Sequence, residues 1–265
     1  MQNSKARLAK KAKKPAIKSA PAQPRFSFPR FLEILALPAW VGVAVFASQY
    51  FITYLLLLLV GYDTLDTPVW STLLSALIYA FTLFVVIFVP VKLTGHWRTS
   101  REELGLSDLP TWTDLGLAPV ALAVSLILGT ALLYLFAAIF PWLNLTEAQA
   151  LGGFEVLTSG LDRVVAFFAL VVIAPVAEEI IFRGWLYGKL RAKIPGRYLS
   201  LLLSIFIVSA LFGFAHLQWN VGITMFAMSA VACCLREITG TTYAGIFLHM
   251  LKNAVAFMLL YVFMV

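Results

Sequence analysis

Charged side chains are scarce in this sequence. Of its 265 residues, 12% are Asp, Glu, Lys or Arg, whereas 61% are hydrophobic, and the mean hydropathy is +0.90. Several apolar runs of about 20 residues are long enough to cross the hydrocarbon core of a bilayer. A soluble core could not bury so many segments that are apolar on all sides. The composition therefore excludes a large soluble domain and predicts an all-α, polytopic transmembrane helical bundle.

Cysteine is almost absent as well. Cys233 and Cys234 are adjacent within an apolar run, and neighbouring cysteines form at best a strained disulfide. We expect two small buried side chains. The sequence also contains no glycine-rich phosphate-binding loop. No internal repeat is visible by inspection, and the lack of a repeat disfavours a transporter built from duplicated halves.

The positive charge is concentrated at the N-terminus. Residues 1–30 contain nine of the twenty basic residues and no acidic residue, so the formal charge of +7 leaves +7 minus 9, or about −2, for the rest of the chain. Four prolines and few apolar residues predict a disordered tail. Its charge predicts a cytoplasmic anchor near anionic lipid. Binding of a partner or of RNA is the alternative, although no aromatic or motif pattern supports nucleic-acid binding.

The apolar runs predict seven spans, at residues 34–60, 69–91, 115–140, 162–188, 198–216, 220–236 and 244–265. The connections after the second, fourth and sixth spans are basic, whereas the opposite connections are acidic, with Arg163 as their one base. By the positive-inside rule, the N-terminus is cytoplasmic and the C-terminus is outside. Residues 141–160 are too polar and too interrupted by glycine to span, so we expect a short surface or re-entrant element there.

Ionisable residues interrupt the fourth apolar run at Glu178, Glu179 and Arg183. A charge at mid-bilayer depth disfavours insertion by roughly 2.5–3.5 kcal/mol, so such residues persist mainly where they pair, face a cavity or perform chemistry. Glu179 and Arg183 are one helical turn apart with the acid first, which predicts an ion pair. Glu178 points about 100° away, and a partly desolvated carboxylate suits a general base or acid. The structural alternatives for Glu178 are a second salt bridge to Arg183 and a hydrogen bond to backbone freed by Pro175.

Two further pairs with four-residue spacing follow in separate apolar runs. Phe212 precedes His216, and His249 precedes Asn253. Taken alone, His216 is either an interfacial histidine or a catalytic one. His249 and Asn253 form either interhelical hydrogen bonds or a pair of donors for a developing oxyanion. Spans one to three contain no charged residue in their interiors, which places the intramembrane chemistry in the last hundred residues.

The three motifs together are more specific than their parts. Glu-Glu-x-x-x-Arg, Phe-x-x-x-His and His-x-x-x-Asn, in this order, resemble the signature of the CAAX prenyl endopeptidase family and its prokaryotic relatives, the CPBP or Abi intramembrane proteases. They read EEIIFR at 178–183, FGFAH at 212–216 and HMLKN at 249–253. The resemblance covers about residues 160–258, and it implies a glutamic intramembrane endopeptidase with its active site inside the last four spans.

The resemblance assigns roles by motif position. Glu178 and His216 would activate a water molecule, and His249 and Asn253 would bind the carbonyl oxygen as it becomes an oxyanion. Residues in supporting roles would be Glu179, Arg183 and Phe212.

The same resemblance implies a partner and a location. The substrate would be a membrane protein or a lipidated peptide, with prenylated CAAX-type peptides as one class, and the location would be a bacterial plasma membrane. The chain then divides into the basic tail at 1–30, N-terminal transmembrane helices and loops at 31–159, and the CPBP-type catalytic domain at 160–265. The main alternative is a non-catalytic membrane scaffold or bacteriocin-immunity protein on the same fold, and a small-solute transporter is a distant third.

Two features complicate this interpretation. If spans four and five are straight, His216 lies roughly a dozen Å from the depth of Glu178, so the turn after His216 would have to enter the membrane beside protein or a water-filled cavity. Lys252, deep in span seven, either snorkels or meets an acidic group.

A catalytic zinc is a further alternative. Glu178, His216 and His249 are suitable zinc ligand types. However, the amide of Asn253 is a poor zinc ligand, and the HExxH arrangement is absent. We therefore expect no obligatory metal or other cofactor.

Overall fold

The computed structural model describes residues 28–65, 67–145, 147, 149, 154, 157 and 159–263. Within these residues the chain forms seven long helices. They are α1 (Phe28–Val60), α2 (Pro68–Leu93), α3 (Trp112–Ile139), α4 (Gly160–Lys193), α5 (Arg197–Phe214), α6 (Trp219–Thr239) and α7 (Tyr243–Phe263). Two single-turn helices, Tyr62–Leu65 and Arg101–Leu104, lie in the connections.

Each of the seven long helices is long and apolar enough to cross a membrane. The predicted all-α fold with seven spans is therefore confirmed, and the protein is an integral, multi-pass membrane protein. Helix α1 begins at Phe28, so the last three residues of the predicted tail are helical. The rest of that tail, and much of residues 141–160, lies outside the described residues. The side of the membrane on which the N-terminus lies stays a prediction.

Helix α4 is irregular at the place where it carries both glutamates. Two π-helical segments, Phe168–Ile173 and Ile180–Tyr187, flank the α-helical segment Ala174–Glu179. A π segment shifts the backbone hydrogen bonds by one residue, which turns the side chains that follow relative to a regular α-helix, and such segments occur frequently at functional sites. The direction in which Glu178 points therefore depends on a feature that the apolar pattern does not show.

Helices α5 and α6 approach closely because glycine faces glycine at their crossing. A Cβ atom on Gly213 would lie 2.6 Å from the carbonyl oxygen of Gly222, and a Cβ on Gly222 would lie 2.8 Å from that of Gly213. Helices in a membrane associate largely through van der Waals packing, so small residues at a crossing let the backbones touch. This contact fixes the turn between α5 and α6, which carries His216.

The connection between α2 and α3 forms hydrogen bonds with α4, with α6 and with the residue just before α7, at one end of the bundle. The Lys189 ammonium near the end of α4 donates to the Glu103 carboxylate at 2.8 Å, and Arg236 near the end of α6 donates to the Glu103 backbone carbonyl at 3.0 Å. The hydroxyl of Thr242, just before α7, donates to the Leu104 carbonyl at 2.6 Å. These ends therefore lie together, in agreement with the alternating charge of the connections.

The prediction that both cysteines are buried is wrong for Cys234. Cys233 is buried in α6, whereas Cys234 is exposed on the outer surface of the same helix. Successive side chains on a helix point about 100° apart, so a core on one side of α6 does not cover both.

Candidate active site

The Glu178 carboxylate is held between helices α2 and α7. The phenol of Tyr79 in α2 donates a hydrogen bond to Glu178 Oε1 at 2.5 Å. The other carboxylate oxygen, Oε2, lies 3.8 Å from Nε2 of His249 in α7, and the Glu178 side chain retains 20% exposure. Neither structural alternative predicted for Glu178, a bond to Arg183 or to backbone near Pro175, is observed among the described residues. Glu178 is thus oriented by one oxygen while the other faces an imidazole.

Tyr79 is the site residue that the sequence did not reveal. It lies 99 residues before Glu178 in an apolar helix with no charged interior residue. The prediction confined the site to the last four spans, but this hydrogen bond brings a side chain of α2 to Glu178. A single phenol in an apolar run gives no signal at the level of sequence, because buried tyrosines are common in helical bundles.

The neighbouring Glu179 forms the ion pair that its spacing predicts. Glu179 Oε1 lies 3.0 Å from Arg183 Nη1, and both side chains are completely shielded from solvent. The contact is ionic rather than a well-aligned hydrogen bond. The Arg183 guanidinium also lies over the ring of Phe212, 4.4 Å from its centroid, which places Phe212 of the second motif against the first.

Glu179 also orients the histidine of the third motif. Its Oε1 lies 3.2 Å from Nδ1 of His249, so this ring nitrogen carries hydrogen toward the carboxylate. Gly245, one turn before His249, makes this possible: a Cβ at Gly245 would lie 2.8 Å from Glu179 Oε2. The two adjacent glutamates therefore face opposite nitrogens of one imidazole, and Glu179 is the one within hydrogen-bond distance.

His216 lies in the turn that follows α5, which ends at Phe214. Its Nδ1 is 2.9 Å from the Phe212 carbonyl oxygen. Its ring packs edge-on against the Phe212 ring, with 5.1 Å between the two ring centroids. Burial lowers the pKa of His216, and the nearby charge of Glu178 opposes that shift. Phe212 contacts the rings of both His216 and His249, and His249 faces Glu178. Contacts between side chains therefore connect His216 to Glu178 across the separation considered from the sequence.

Phe212 links the two histidines. Its ring lies 5.8 Å from that of His249 in an edge-on arrangement, in addition to its contact with His216. Phe212 is 1% exposed, and it also packs edge-on against Phe182 at 5.0 Å. The aromatic residue of the second motif therefore sets the separation of the two imidazoles by filling the space between them.

Asn253 forms a hydrogen bond with a backbone carbonyl in the irregular part of α4. Its Nδ2 donates to the backbone carbonyl of Leu170 at 2.7 Å. In the first π segment the N–H of Ala174 bonds to the carbonyl of Ala169. The next donor in that register would belong to Pro175, which has no N–H. The Leu170 carbonyl is therefore left for Asn253, which joins α7 to α4 beside the glutamates.

Lys252 and the zinc alternative complete the set of predicted residues. Lys252 is half-buried in α7, one residue before Asn253 and three residues after His249. In the part of the chain that the structure describes, no group of three or more His, Cys, Asp or Glu side chains is arranged to hold a metal ion.

The part of the chain that carries the three motifs is similar to a known protein family. Residues 160–255 match a family model described as type II CAAX prenyl endopeptidase Rce1-like. Over 128 residues the chain is 31% identical to the UPF0177 protein YbdI of Lactococcus lactis subsp. lactis (strain IL1403), an alignment that covers 48% of this chain and 66% of that protein. The aligned part thus spans slightly less than two thirds of the relative. No solved structure matches the chain. The resemblance predicted from the three motifs is confirmed as a similarity of residues 160–255 to this family.

Proposed function

We propose that this protein is an intramembrane endopeptidase in which Glu178 activates the water that hydrolyses a peptide bond of a membrane-associated substrate. The observation that carries the proposal is that the two oxygens of the Glu178 carboxylate have different neighbours. Oε1 accepts the Tyr79 hydrogen bond, while Oε2 faces His249 Nε2 at 3.8 Å. A carboxylate that is fixed by one oxygen can present the other to a water molecule in a defined direction.

The reaction follows from the residues around this oxygen. Glu178 Oε2 takes a proton from water, and the water oxygen attacks the carbonyl carbon of the scissile bond. The carbonyl oxygen becomes an oxyanion, the C–N bond then breaks, and the leaving amine receives the proton from Glu178. His216 donates Nδ1–H to the Phe212 carbonyl oxygen, which leaves Nε2 of the neutral ring to accept a hydrogen bond from the attacking water.

The oxyanion would be bound by His249 and Asn253. His249 already directs Nδ1 toward Glu179, so it offers a second hydrogen, at Nε2, when the ring is protonated. Asn253 uses one amide hydrogen on the Leu170 carbonyl and has a second to donate. Removing one such donor typically costs about 100- to 1,000-fold in kcat.

The substrate is a membrane protein or a lipidated peptide. The supporting observation is the depth of the site: Glu178 lies within the longest apolar helix, and its environment is built from three other parts of the chain. A peptide bond that reaches this carboxylate must itself enter the membrane or be attached to it. Prenylated CAAX-type peptides are one such class, and the similarity of residues 160–255 to type II CAAX prenyl endopeptidases motivates their inclusion in the test.

The decisive experiment uses purified protein in lipid nanodiscs and a panel of prenylated and unprenylated membrane peptides. Wild-type protein should cleave at least one peptide, and Glu178→Gln should reduce kcat by more than about 1,000-fold with unchanged melting behaviour. Glu102→Gln is the matched control, because Glu102 is exposed on the short helix Arg101–Leu104 and should have no effect. A folded and fully active Glu178→Gln protein contradicts the assignment, and inactivity of the wild type on every peptide favours the scaffold alternative.

We also propose that the reaction needs no resident metal. The residue types support this, because the site pairs its histidines with a carboxylate and an aromatic ring and includes an amide donor. Activity should survive exhaustive chelation. One tightly held zinc per chain, with activity lost on removal and restored on return, would instead make Glu178, His216 and His249 metal ligands.

A further inference from the structure

An apolar groove lies between α3 and α5, with α6 as its floor. Helix α6 packs against α3 beside Gly129, where a Cβ would lie 3.5 Å from the Cα of Thr224. It packs against α5 at the crossing of Gly213 and Gly222. Small residues let α6 approach both neighbours closely. Helices α3 and α5 therefore stand on either side of α6 and face each other across the groove.

The lining of the groove is hydrocarbon along most of its length. Phe136 of α3 and Phe206 of α5 form its walls, and Ile223 of α6 lies at its floor. Its volume of about 580 Å³ is within the range of sites that bind small molecules. In the described part of the chain no charged residue lines it, and Gln218 supplies an amide at the end beside the α5–α6 turn. A ligand that fits this lining is an uncharged hydrocarbon with a polar group at one end.

The groove is separate from the proposed active site. Phe212 packs against the rings of His216 and His249, whereas Ala210, two residues earlier, lines the groove. Residues two apart on an α-helix point about 200° apart, so these two side chains leave α5 on nearly opposite sides. Phe206 at the rim of the groove is exposed. The groove is therefore continuous with the outer surface of the spanning helices, which faces the lipid.

The length of the groove matches one leaflet of a bilayer. Along α5 it extends from Phe206 to Phe214, a rise of about 12 Å at 1.5 Å per residue. Half of a hydrocarbon core is about 15 Å. Helix α5 ends at Phe214, and the neighbouring Trp219 is exposed. Because tryptophan is enriched at the level of the lipid headgroups, this end of the groove corresponds to a membrane surface.

Leu217 has a strained backbone at the same end of the groove. Its φ of 55° lies in the left-handed region, which favours glycine. Its side chain lines the groove and is 80% exposed, so packing within the protein does not offset the strain. Strained residues of this kind cluster at functional sites and ligand contacts. A hydrocarbon chain in the groove would cover Leu217, which directly follows His216.

We propose that this groove binds one acyl chain of a membrane phospholipid, with the headgroup beside the α5–α6 turn. Two observations identify the occupant. The groove is continuous with the surface that faces lipid, and its uncharged lining with an amide at one end complements an amphiphile. The site recognises the chain rather than the headgroup. The bound chain packs against Leu217 and thereby supports the turn that carries His216.

Photolabelling in lipid nanodiscs tests the proposal. The probe is a phosphatidylcholine with a diazirine in one acyl chain, present at low mole fraction, and mass spectrometry of peptides maps the label. We expect groove residues to be labelled about 10-fold more than the exposed face of α1, with saturation at one label per protein. A phosphatidylglycerol with the same acyl chain should label the groove equally. Uniform labelling of all exposed helix faces, or a preference for one headgroup, overturns the proposal.

Variants assign the label to the groove. Ala210→Trp fills the groove and should remove its label, whereas Val43→Trp, at an exposed position of α1, is the matched control and should leave the label unchanged. Leu217→Gly relieves the backbone strain and removes the side chain, so it should lower groove labelling without lowering Tm. Unchanged labelling of a folded Ala210→Trp protein overturns the proposal. Should Ala210→Trp fail to fold, uniform labelling of the wild type is sufficient to reject the site.

Competition distinguishes an acyl chain from other occupants. Unlabelled phosphatidylcholine should displace the groove label. Displacement by a prenylated peptide but not by phospholipid would assign the groove to a substrate, and cross-linked dimers joined through the groove would assign it to a second copy of the chain. Either outcome overturns the proposal. Because labelling requires no turnover, Glu178→Gln should label like the wild type, and the result is independent of the proposed function.

Discussion

Arg183→Met should be strongly destabilising, because it leaves the Glu179 carboxylate charged in a site that water does not reach. Both members of this pair are 0% exposed, and their closest atoms are 3.0 Å apart. Removing one partner of such a pair costs about 3–5 kcal/mol, most of which is the desolvation of the charge that stays behind. Glu179→Gln leaves the opposite charge uncompensated and should cost a similar amount.

The double variant Glu179→Gln/Arg183→Met removes both charges at once. If the desolvation argument is correct, the double variant is more stable than either single variant, since no buried charge is left unpaired. Glutamine also keeps an oxygen near His249 Nδ1, so the orientation of this imidazole is preserved. Some turnover should therefore return together with the stability.

The measurement is the free energy of unfolding in mixed micelles, followed by helical circular dichroism as the fraction of denaturing detergent increases. A half-exposed pair provides the matched control: Lys193 and Glu33 form an ion pair with side-chain exposures of 23% and 34%. Lys193→Met should cost no more than about 1 kcal/mol. Additive losses in the Glu179/Arg183 cycle, with the double variant as unstable as the sum of the singles, would refute the reasoning.

Three further outcomes are expected. Tyr79→Phe removes the donor to Glu178 Oε1 and should lower kcat by about 10-fold or more with little change in KM; an unchanged kcat would show that the phenol does not position the base. Gly245→Ala places a Cβ 2.8 Å from Glu179 Oε2 and should lower both stability and kcat. Adding Glu179→Asp, which shortens the crowded side chain, should partly restore the stability. A Gly245→Ala protein as stable as the wild type would contradict the observed packing. Cysteine-accessibility labelling at Ser4 and near Val265 should modify the two ends from opposite sides of the membrane, and labelling of both ends from the same side would require an even number of spans.

The spans could be predicted from the sequence because each depends on one contiguous segment. A run of about 20 apolar residues is sufficient by itself to indicate a membrane-crossing helix. The Glu179–Arg183 pair could be predicted for a similar reason, since residues four apart share a face of the same helix. Both features are local, and neither requires knowledge of which helices pack together.

The surroundings of Glu178 could not be predicted because they depend on contacts between distant parts of the chain. Tyr79 reaches Glu178 across 99 residues of sequence, and nothing in its own helix marks it. The exposure of Cys234 was mispredicted for the same reason, because the face of α6 that its neighbours cover is set by packing rather than by the residue types in α6.

Asn253 shows an intermediate case. Pro175 in an apolar helix indicates from the sequence that a carbonyl in the preceding turns lacks its donor. Which carbonyl it is depends on the π segment, which moves the N–H of Ala174 to Ala169 and leaves Leu170 without a donor within the helix. The sequence thus indicates that a polar partner is needed, and the tertiary structure supplies Asn253 as that partner.

Two adjacent glutamates have different surroundings because the helix directs them to different sides. Glu179 is fully buried, and its carboxylate is already occupied by the ion pair with Arg183 and the contact with His249 Nδ1. Glu178 keeps partial exposure and one oxygen facing His249 Nε2. Where neighbouring carboxylates are placed in such different surroundings, one can remain fixed while the other exchanges a proton. His249 lies between them, so any movement of Glu179 also displaces the imidazole that faces Glu178. This coupling is the physical reason to expect that damage at Glu179 lowers turnover as well as stability, while damage at Glu178 lowers turnover alone.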